Sequence, residues 1–195
     1  MLYMKTFLFI FLFALTFSNA TCQLSFSPVE SKLNSVKGNN ITELVCSGSA
    51  LSVKFQLKRS VTISPQNNIV TVDGQTIQIT PLKFSVNKQD TNDEKSLLAT
   101  YSKYELDYFK NDLGMKLINS SNQWVVIKSK GWFIWYFKVV SVPVKTAQQT
   151  KIQLFASTVI GDNILTINAP IFKDEDFDKA GLIVNEMMET LKIIK

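Results

Sequence analysis

The sequence predicts an α+β fold, an antiparallel sheet of about six strands with helices on both faces, that is, an α/β/α sandwich. Three observations carry that expectation. The first is Gly131-Trp132-Phe133-Ile134-Trp135-Tyr136-Phe137, where Phe133, Trp135, Phe137 and Val139 fall on one side of a strand and Trp132, Ile134 and Tyr136 on the other. A strand apolar on both sides belongs inside a sheet that is covered on both faces. The run is short for a buried helix, begins at a Gly, and is rich in aromatic and β-branched residues, which favours a strand. Stacked bases or sugars are one use for so many rings, but core burial is the commoner one. The second observation is a pair of amphipathic helical stretches, one on each side of the strand-rich region. The third is the succession of short strands and tight turns between them, which reads as a meander.

Taken in order, residues 1–20 read as a secretory signal. Lys5 supplies the positive start, Phe7 to Phe17 is continuously apolar, and Ser18-Asn19-Ala20 offers small residues for cleavage after Ala20. That run is too short to span a bilayer comfortably, and no later apolar run is long enough. The expected organisation is a signal peptide at 1–20, an irregular Ser-, Asn- and Lys-rich lead-in at 21–50, and a single domain at 51–195. The product is expected outside the cytoplasm, periplasmic or secreted. Cys22 raises the alternative of an N-terminal lipid anchor, which Asn19-Ala20-Thr21 suits badly because such signals place Gly or Ala before the Cys. Cys22 and Cys46 are the only cysteines. In an oxidising compartment their pairing would close a loop of about 25 residues, worth roughly 3 kcal/mol in the chain-entropy model.

Within the domain, Leu51, Val53, Phe55 and Leu57 alternate with polar residues as a half-exposed strand does, with Val61 and Ile63 as an extension. Ile69–Val72 and Gln75–Ile79 flank Asp73-Gly74, a pair suited to the positive φ angles of a type I′ hairpin turn. Pro81 puts the end of that strand near an edge. Thr91 and Glu94 form a capping-box pattern before Leu97, Leu98, Tyr101, Tyr104, Tyr108 and Phe109, which recur at helical spacing up to a stop at Gly114. Strands follow at 116–127, interrupted by a polar Asn-Ser-Ser-Asn insertion, then at the aromatic run to about Val142. Lys151–Ile160 and Asn163–Asn168 form a hairpin around Gly161-Asp162, where a leading Gly suits a type II′ turn. Asp174–Ile194 closes the chain as a second helix, with Phe177, Ala180, Gly181, Val184, Met187, Met188, Leu191 and Ile194 on one face.

The sequence excludes more chemistry than it selects. With no His, the Ser-His-Asp and Cys-His triads are unavailable, as is most zinc and haem ligation. The seven Gly are dispersed, so no phosphate-binding loop exists. Asp174, Glu175, Asp176 and Asp178 resemble the start of a calcium loop, but Lys179 stands where Gly is needed and Asn185 where the bidentate Glu belongs. Acids in a first helical turn are better explained as caps of its free amides. No metal ligand, cofactor-binding residue or catalytic residue is therefore assigned, and no cofactor is expected. Paired carboxylates remain available to a His-free secreted hydrolase, although no spacing selects a pair. Net charge is +5, and 20 basic against 16 acidic residues remain once Lys5 is removed with the signal. These are scattered lysines with a single Arg59, which does not suit nucleic acid. Asn40-Ile41-Thr42 and Asn119-Ser120-Ser121 are glycosylation sequons should the source be eukaryotic.

From about Tyr101 to the C-terminus, the order of elements resembles the Mog1/PsbP-like family. The residues that carry the resemblance are the Tyr-rich helix, Trp124-Val125-Val126, the aromatic strand, the hairpin from Leu154 to Ile167, the Ala169-Pro170 exit and the helix ending Met187-Met188-Glu189-Thr190-Leu191-Lys192. The chain is similar in particular to small exported proteins of Bacteroidetes-type bacteria. The resemblance implies an α/β/α sandwich and a largely non-catalytic role, such as a photosystem accessory subunit, a GTPase regulator or an envelope protein that grips a partner. The functional expectation is thus an exported binding or accessory protein of the cell envelope with a protein partner. The alternatives are the paired-carboxylate hydrolase and a lipid-anchored surface protein.

Overall fold

A computed structural model describes residues 22–26, 29–36, 40–49, 51–65, 68–86, 93–142 and 150–194. The segment expected to be a signal peptide, its expected cleavage point at Ala20 and the expected cap residue Thr91 lie outside the described residues. Among the described residues, twelve strands form two antiparallel sheets, accompanied by two helices. The larger sheet joins β5 (Val61–Ile63), β6 (Ile69–Val72), β7 (Gln75–Val86), β11 (Asn163–Phe172), β10 (Thr150–Ile160), β9 (Lys130–Ser141) and β8 (Lys116–Ile127) in that order. Its eighth strand, β1 (Cys22–Phe26), pairs with the far end of β7. The smaller sheet is β12 (Lys192–Ile193), β4 (Ser52–Leu57), β3 (Ile41–Gly48) and β2 (Val29–Val36).

The aromatic strand is β9, and its two faces feed two cores. Phe133, Trp135 and Phe137 join Leu98, Tyr101 and Phe109 of helix α1 (Glu94–Asn111). On the other face, Trp132 is fully buried in a cluster with Ala180, Ile183, Val184, Met187 and Met188 of helix α2 (Phe177–Thr190). That second cluster also takes Leu44, Val53, Phe55 and Leu57 from the smaller sheet. The expectation of about six strands in one sheet is therefore replaced by eight strands in one and four in another. The second sheet shares the core on which α2 packs.

The lead-in expected to be irregular contains β1, β2 and β3. In β2 the exposed Glu30, Lys32 and Asn34 alternate with the inward Val29, Ser31 and Leu33, so a polar composition concealed a period of two. Val61 and Ile63 do not extend β4. The chain leaves the smaller sheet at Lys58-Arg59-Ser60 and enters the larger one as β5. Nor does α2 reach Ile194: it ends at Thr190, and Lys192–Ile193 turns back to pair with β4.

The local turn chemistry reads as the sequence suggests. Asp73 (φ 48) and Gly74 (φ 85) close the β6–β7 hairpin, and Gly161 (φ 59) leads the β10–β11 turn. Pro81 pairs with Leu165 of β11 on one side. On its other side β6 ends opposite Gln78 and β1 begins opposite Leu82, so its missing N–H falls where no ladder runs. The polar insertion in β8 is a bulge, with Asn119 at φ 50 and the register shifting between Ile118 and Ser121. The cap of α1 is Asp93, whose carboxylate accepts from Ser96 N at 2.8 Å and Ser96 Oγ at 2.9 Å, and not Thr91.

Candidate functional site

The strongest concentration of unusual polar groups lies between α1 and the sheet. Antiparallel register sets Trp135, Phe155, Asn168 and Gln78 in one row across β9, β10, β11 and β7. The next row is Phe133, Ser157, Thr166 and Thr80, and Gln153 stands opposite Phe137 on the other side of the first row. Because side chains alternate, all of these share the sheet face on which α1 packs. Trp135 and Phe155 stack with ring centroids 3.9 Å apart. Phe137 and Phe155 both pack against Phe109 of α1.

A chain of hydroxyls crosses this interface. Ser157 Oγ lies 3.1 Å from Thr166 Oγ1, and Thr166 Oγ1 donates to the Tyr101 hydroxyl at 3.5 Å. Tyr101 in turn donates to the Glu105 carboxylate one helical turn along α1. Glu105 as a residue is half-buried, but its carboxyl is enclosed. Removal from water raises its pKa from 4.5 to about 7, against the opposing effect of the Tyr101 hydrogen bond. Burial also pushes Tyr101 well above its ordinary value, with the neighbouring Glu105 charge acting in the same direction.

Among the described residues, five buried side-chain polar atoms have no hydrogen-bond partner: Trp135 Nε1, Gln153 Oε1 and Asn168 Oδ1 on this face, and Trp132 Nε1 and Asn163 Oδ1 elsewhere. The sequence singled out Trp135 and Tyr101 only as core residues, and it passed over Gln153, Asn168, Ser157, Thr166 and Glu105. A signal was available. In Leu154–Ile167 the buried polar residues Ser157, Thr158, Asn163 and Thr166 interrupt strands that are otherwise largely apolar.

Elsewhere several acids hold the fold. Glu43 pairs with Lys54 at 3.0 Å. Asp73 and Glu186 share Arg59 at 3.0 Å and 2.5 Å. Of the acidic cluster, Asp176 caps α2 by accepting from Asp178 N at 2.9 Å, and Glu175 accepts from Phe172 N at 2.8 Å. Among the described residues no group of three or more metal-ligating side chains converges.

The Cys22–Cys46 bridge is not formed. Cys46 is a free, buried thiol in β3 with Ser31 Oγ at 3.6 Å, and burial pushes it up to about 11. Cys22 begins β1 in the other sheet, with its backbone opposite Val86.

No family model matches the chain, and neither does any curated protein. Among solved structures it is similar to the solution structure of cyanobacterial PsbP (CyanoP) from Synechocystis sp. PCC 6803. The identity is 8%, the TM-score 0.41, and the match covers 84% of this chain and 92% of that one. No role is carried from that protein to this chain.

Proposed function

We propose that the chain is an exported, non-catalytic binding or accessory protein of the cell envelope that grips a protein partner along β8. The observation that carries this reading is the open edge of the larger sheet. β8 is 12 residues long and, among the described residues, pairs on one side only, with β9. Ile118 and Val126 on it, and Val140 beside it, are more than half exposed. An extended segment of a partner can add to such an edge through main-chain hydrogen bonds, with exposed side chains setting selectivity. The bulge at Asn119 interrupts the edge and limits indiscriminate pairing, which leaves Ser121–Ile127 as the regular stretch.

Export is supported by Lys5, the apolar run 7–17 and Ser18-Asn19-Ala20. The non-catalytic reading is supported by the missing His and by the structural employment of the acids. The test places a photocrosslinking residue at Gln123 or Val126 in protein expressed with its own leader in its native host. One dominant envelope protein captured from these positions, and lost from a control position at Lys173, is the expected result. Equal background capture from all three positions would overturn the reading.

A further inference from the structure

The β8 edge carries a charge pattern as well as an open ladder. Between Leu113 and Gly161 the chain has no Asp or Glu, while Lys116, Lys128, Lys130, Lys138, Lys145 and Lys151 all fall within that stretch. The topology concentrates this charge, because the stretch supplies β8, β9 and β10, the three strands at this end of the larger sheet. Lys116 opens β8, Lys128 lies in the β8–β9 turn at φ 49, and Lys130 opens β9 just beyond it. Lys138 of β9 stands opposite Ile118 and so shares its face beside the bulge. Lys116, Lys128 and Lys138 are exposed. Among the described residues the ion pairs join Lys54 to Glu43 and Arg59 to Asp73 and Glu186, and none employs a lysine of this stretch. Lysines on an edge strand can serve simply to repel other edges. A guard of that kind interrupts the ladder it protects, but Ser121–Ile127, the regular part of β8, carries no charge at all. The positive groups stand at its two ends instead. They also disfavour a second copy of this chain as the occupant, since β8 laid against β8 would bring lysines only against lysines.

We propose that the β8 edge selects an acidic extended segment of a partner protein, one with Asp or Glu at both ends and an uncharged middle. The inference rests on the reading of β8 as a partner-binding edge and adds the partner's chemistry to it. Main-chain hydrogen bonds along Ser121–Ile127 hold the middle of the segment, with the exposed Val126 as an apolar contact. Carboxylates at its ends meet Lys116 and Lys138 on one side and Lys128 and Lys130 on the other. The 12 residues of β8 span about 40 Å when extended, several times the Debye length of roughly 8 Å at physiological salt. The two basic ends therefore act separately, and a segment acidic at one end alone gains only part of the attraction. Opposed charges across the edge also favour this partner over neutral or basic segments that offer the same main-chain bonds.

The test uses fluorescein-labelled peptides as long as β8, with alternating Val and Thr in the middle and Glu, Gln or Lys at both ends. Binding to the purified protein is followed by fluorescence anisotropy, and its place is fixed by a photocrosslinking residue at Gln123. The Glu peptide should bind saturably, crosslink at Gln123 and weaken as salt is raised. The Gln peptide should bind about tenfold more weakly, the sum of a few exposed ion pairs. In the Lys116→Glu/Lys128→Glu/Lys138→Glu variant the preference should invert towards the Lys peptide. A Lys32→Glu/Lys83→Glu/Lys173→Glu control changes net charge equally, away from β8, and should keep the preference for Glu. If the first variant does not fold, Lys116→Glu and Lys128→Glu are made singly, each with a partial loss expected. A Gln peptide that binds as tightly as the Glu peptide and crosslinks at Gln123 would overturn the acidic selectivity while leaving β8 a binding edge. Crosslinking of no peptide at Gln123, or equal loss in the control variant, would also overturn it, and capture in the native host then judges the β8 reading by itself. Retention on phosphatidylglycerol vesicles through the same lysines, without peptide binding, would overturn it in favour of a membrane surface.

Discussion

A methyl group at Gly131 would overlap the indole of Trp124, which lies across that residue from the neighbouring strand. The ring packs there against the α1-side core, and β8 has few other anchors, since most of its residues are exposed. Gly131→Ala should therefore destabilise the protein by about 1–3 kcal/mol, the usual cost of overpacking a filled site. It should also move the tryptophan emission, and urea unfolding followed by fluorescence checks both. At Glu105 the expected effect is one of pH. Its pKa rises from 4.5 to about 7 on folding, so the fold disfavours the ionised form. The stability linked to this group is complete below about 4.5 and is lost as pH rises through about 7, by up to about 3 kcal/mol. With no His in the chain, ordinary side chains leave that window nearly empty. Glu43, Asp73 and Asp93 have lowered values, so their contributions are lost only at more acid pH. Melting temperature measured from pH 5 to 8 should fall in the parent and stay level in Glu105→Gln, and an unchanged slope in the variant would refute the assignment.

Among the elements, legibility followed local signals. Asp73-Gly74, the aromatic run and the two amphipathic helices were readable because a dipeptide, a period of two or a period of 3.6 is complete within a short window. The strand β1 was hidden because its partner β7 lies far along the chain, and β2 and β3, which pair with each other, because their outward Lys32, Asn34 and Ser47 resemble the residues of a loop. The return of Lys192–Ile193 to β4 depends on a contact more than a hundred residues away, which no helical periodicity can announce. The candidate site was obscured for the same reason: Gln153, Asn168 and Thr166 become neighbours only through the register of the β10–β11 hairpin. Arg59 shows how such distant elements are tied. It bonds Glu186 of α2 and Asp73 of the β6–β7 turn, while Glu186 also accepts from Lys58 N at 2.8 Å and Asp73 from Ser60 N at 3.0 Å. The group is about a quarter exposed, and two acids sharing one guanidinium make it a network rather than a lone surface pair. Arg59→Ala should cost about 1–2 kcal/mol, with part of the difference disappearing in high salt as screening weakens the parent. Equal stability of parent and variant at low salt would show the network to be incidental.

At the scale of the whole molecule, α2 is the piece on which the two sheets depend. Ala180, Ile183, Val184, Met187 and Met188 are buried in a cluster that also contains Phe55 and Leu57 of the smaller sheet and Leu154 and Ile167 of the larger. The smaller sheet therefore has no separate core to hold it when α2 is loosened, and the larger sheet loses the cover of one face. Met187 has no exposed surface. Its replacement by Ala should remove about 2–5 kcal/mol, as truncation at fully packed sites does. The three tryptophans, Trp124, Trp132 and Trp135, all stand in the larger sheet, so their fluorescence reports that sheet, whereas far-UV circular dichroism reports both. Since one cluster joins the two sheets, the two signals should fall together in a single transition, in the parent and in Met187→Ala alike. A fluorescence transition that lags the circular dichroism in the variant would mean that the smaller sheet melts on its own, and that α2 belongs to the larger sheet alone.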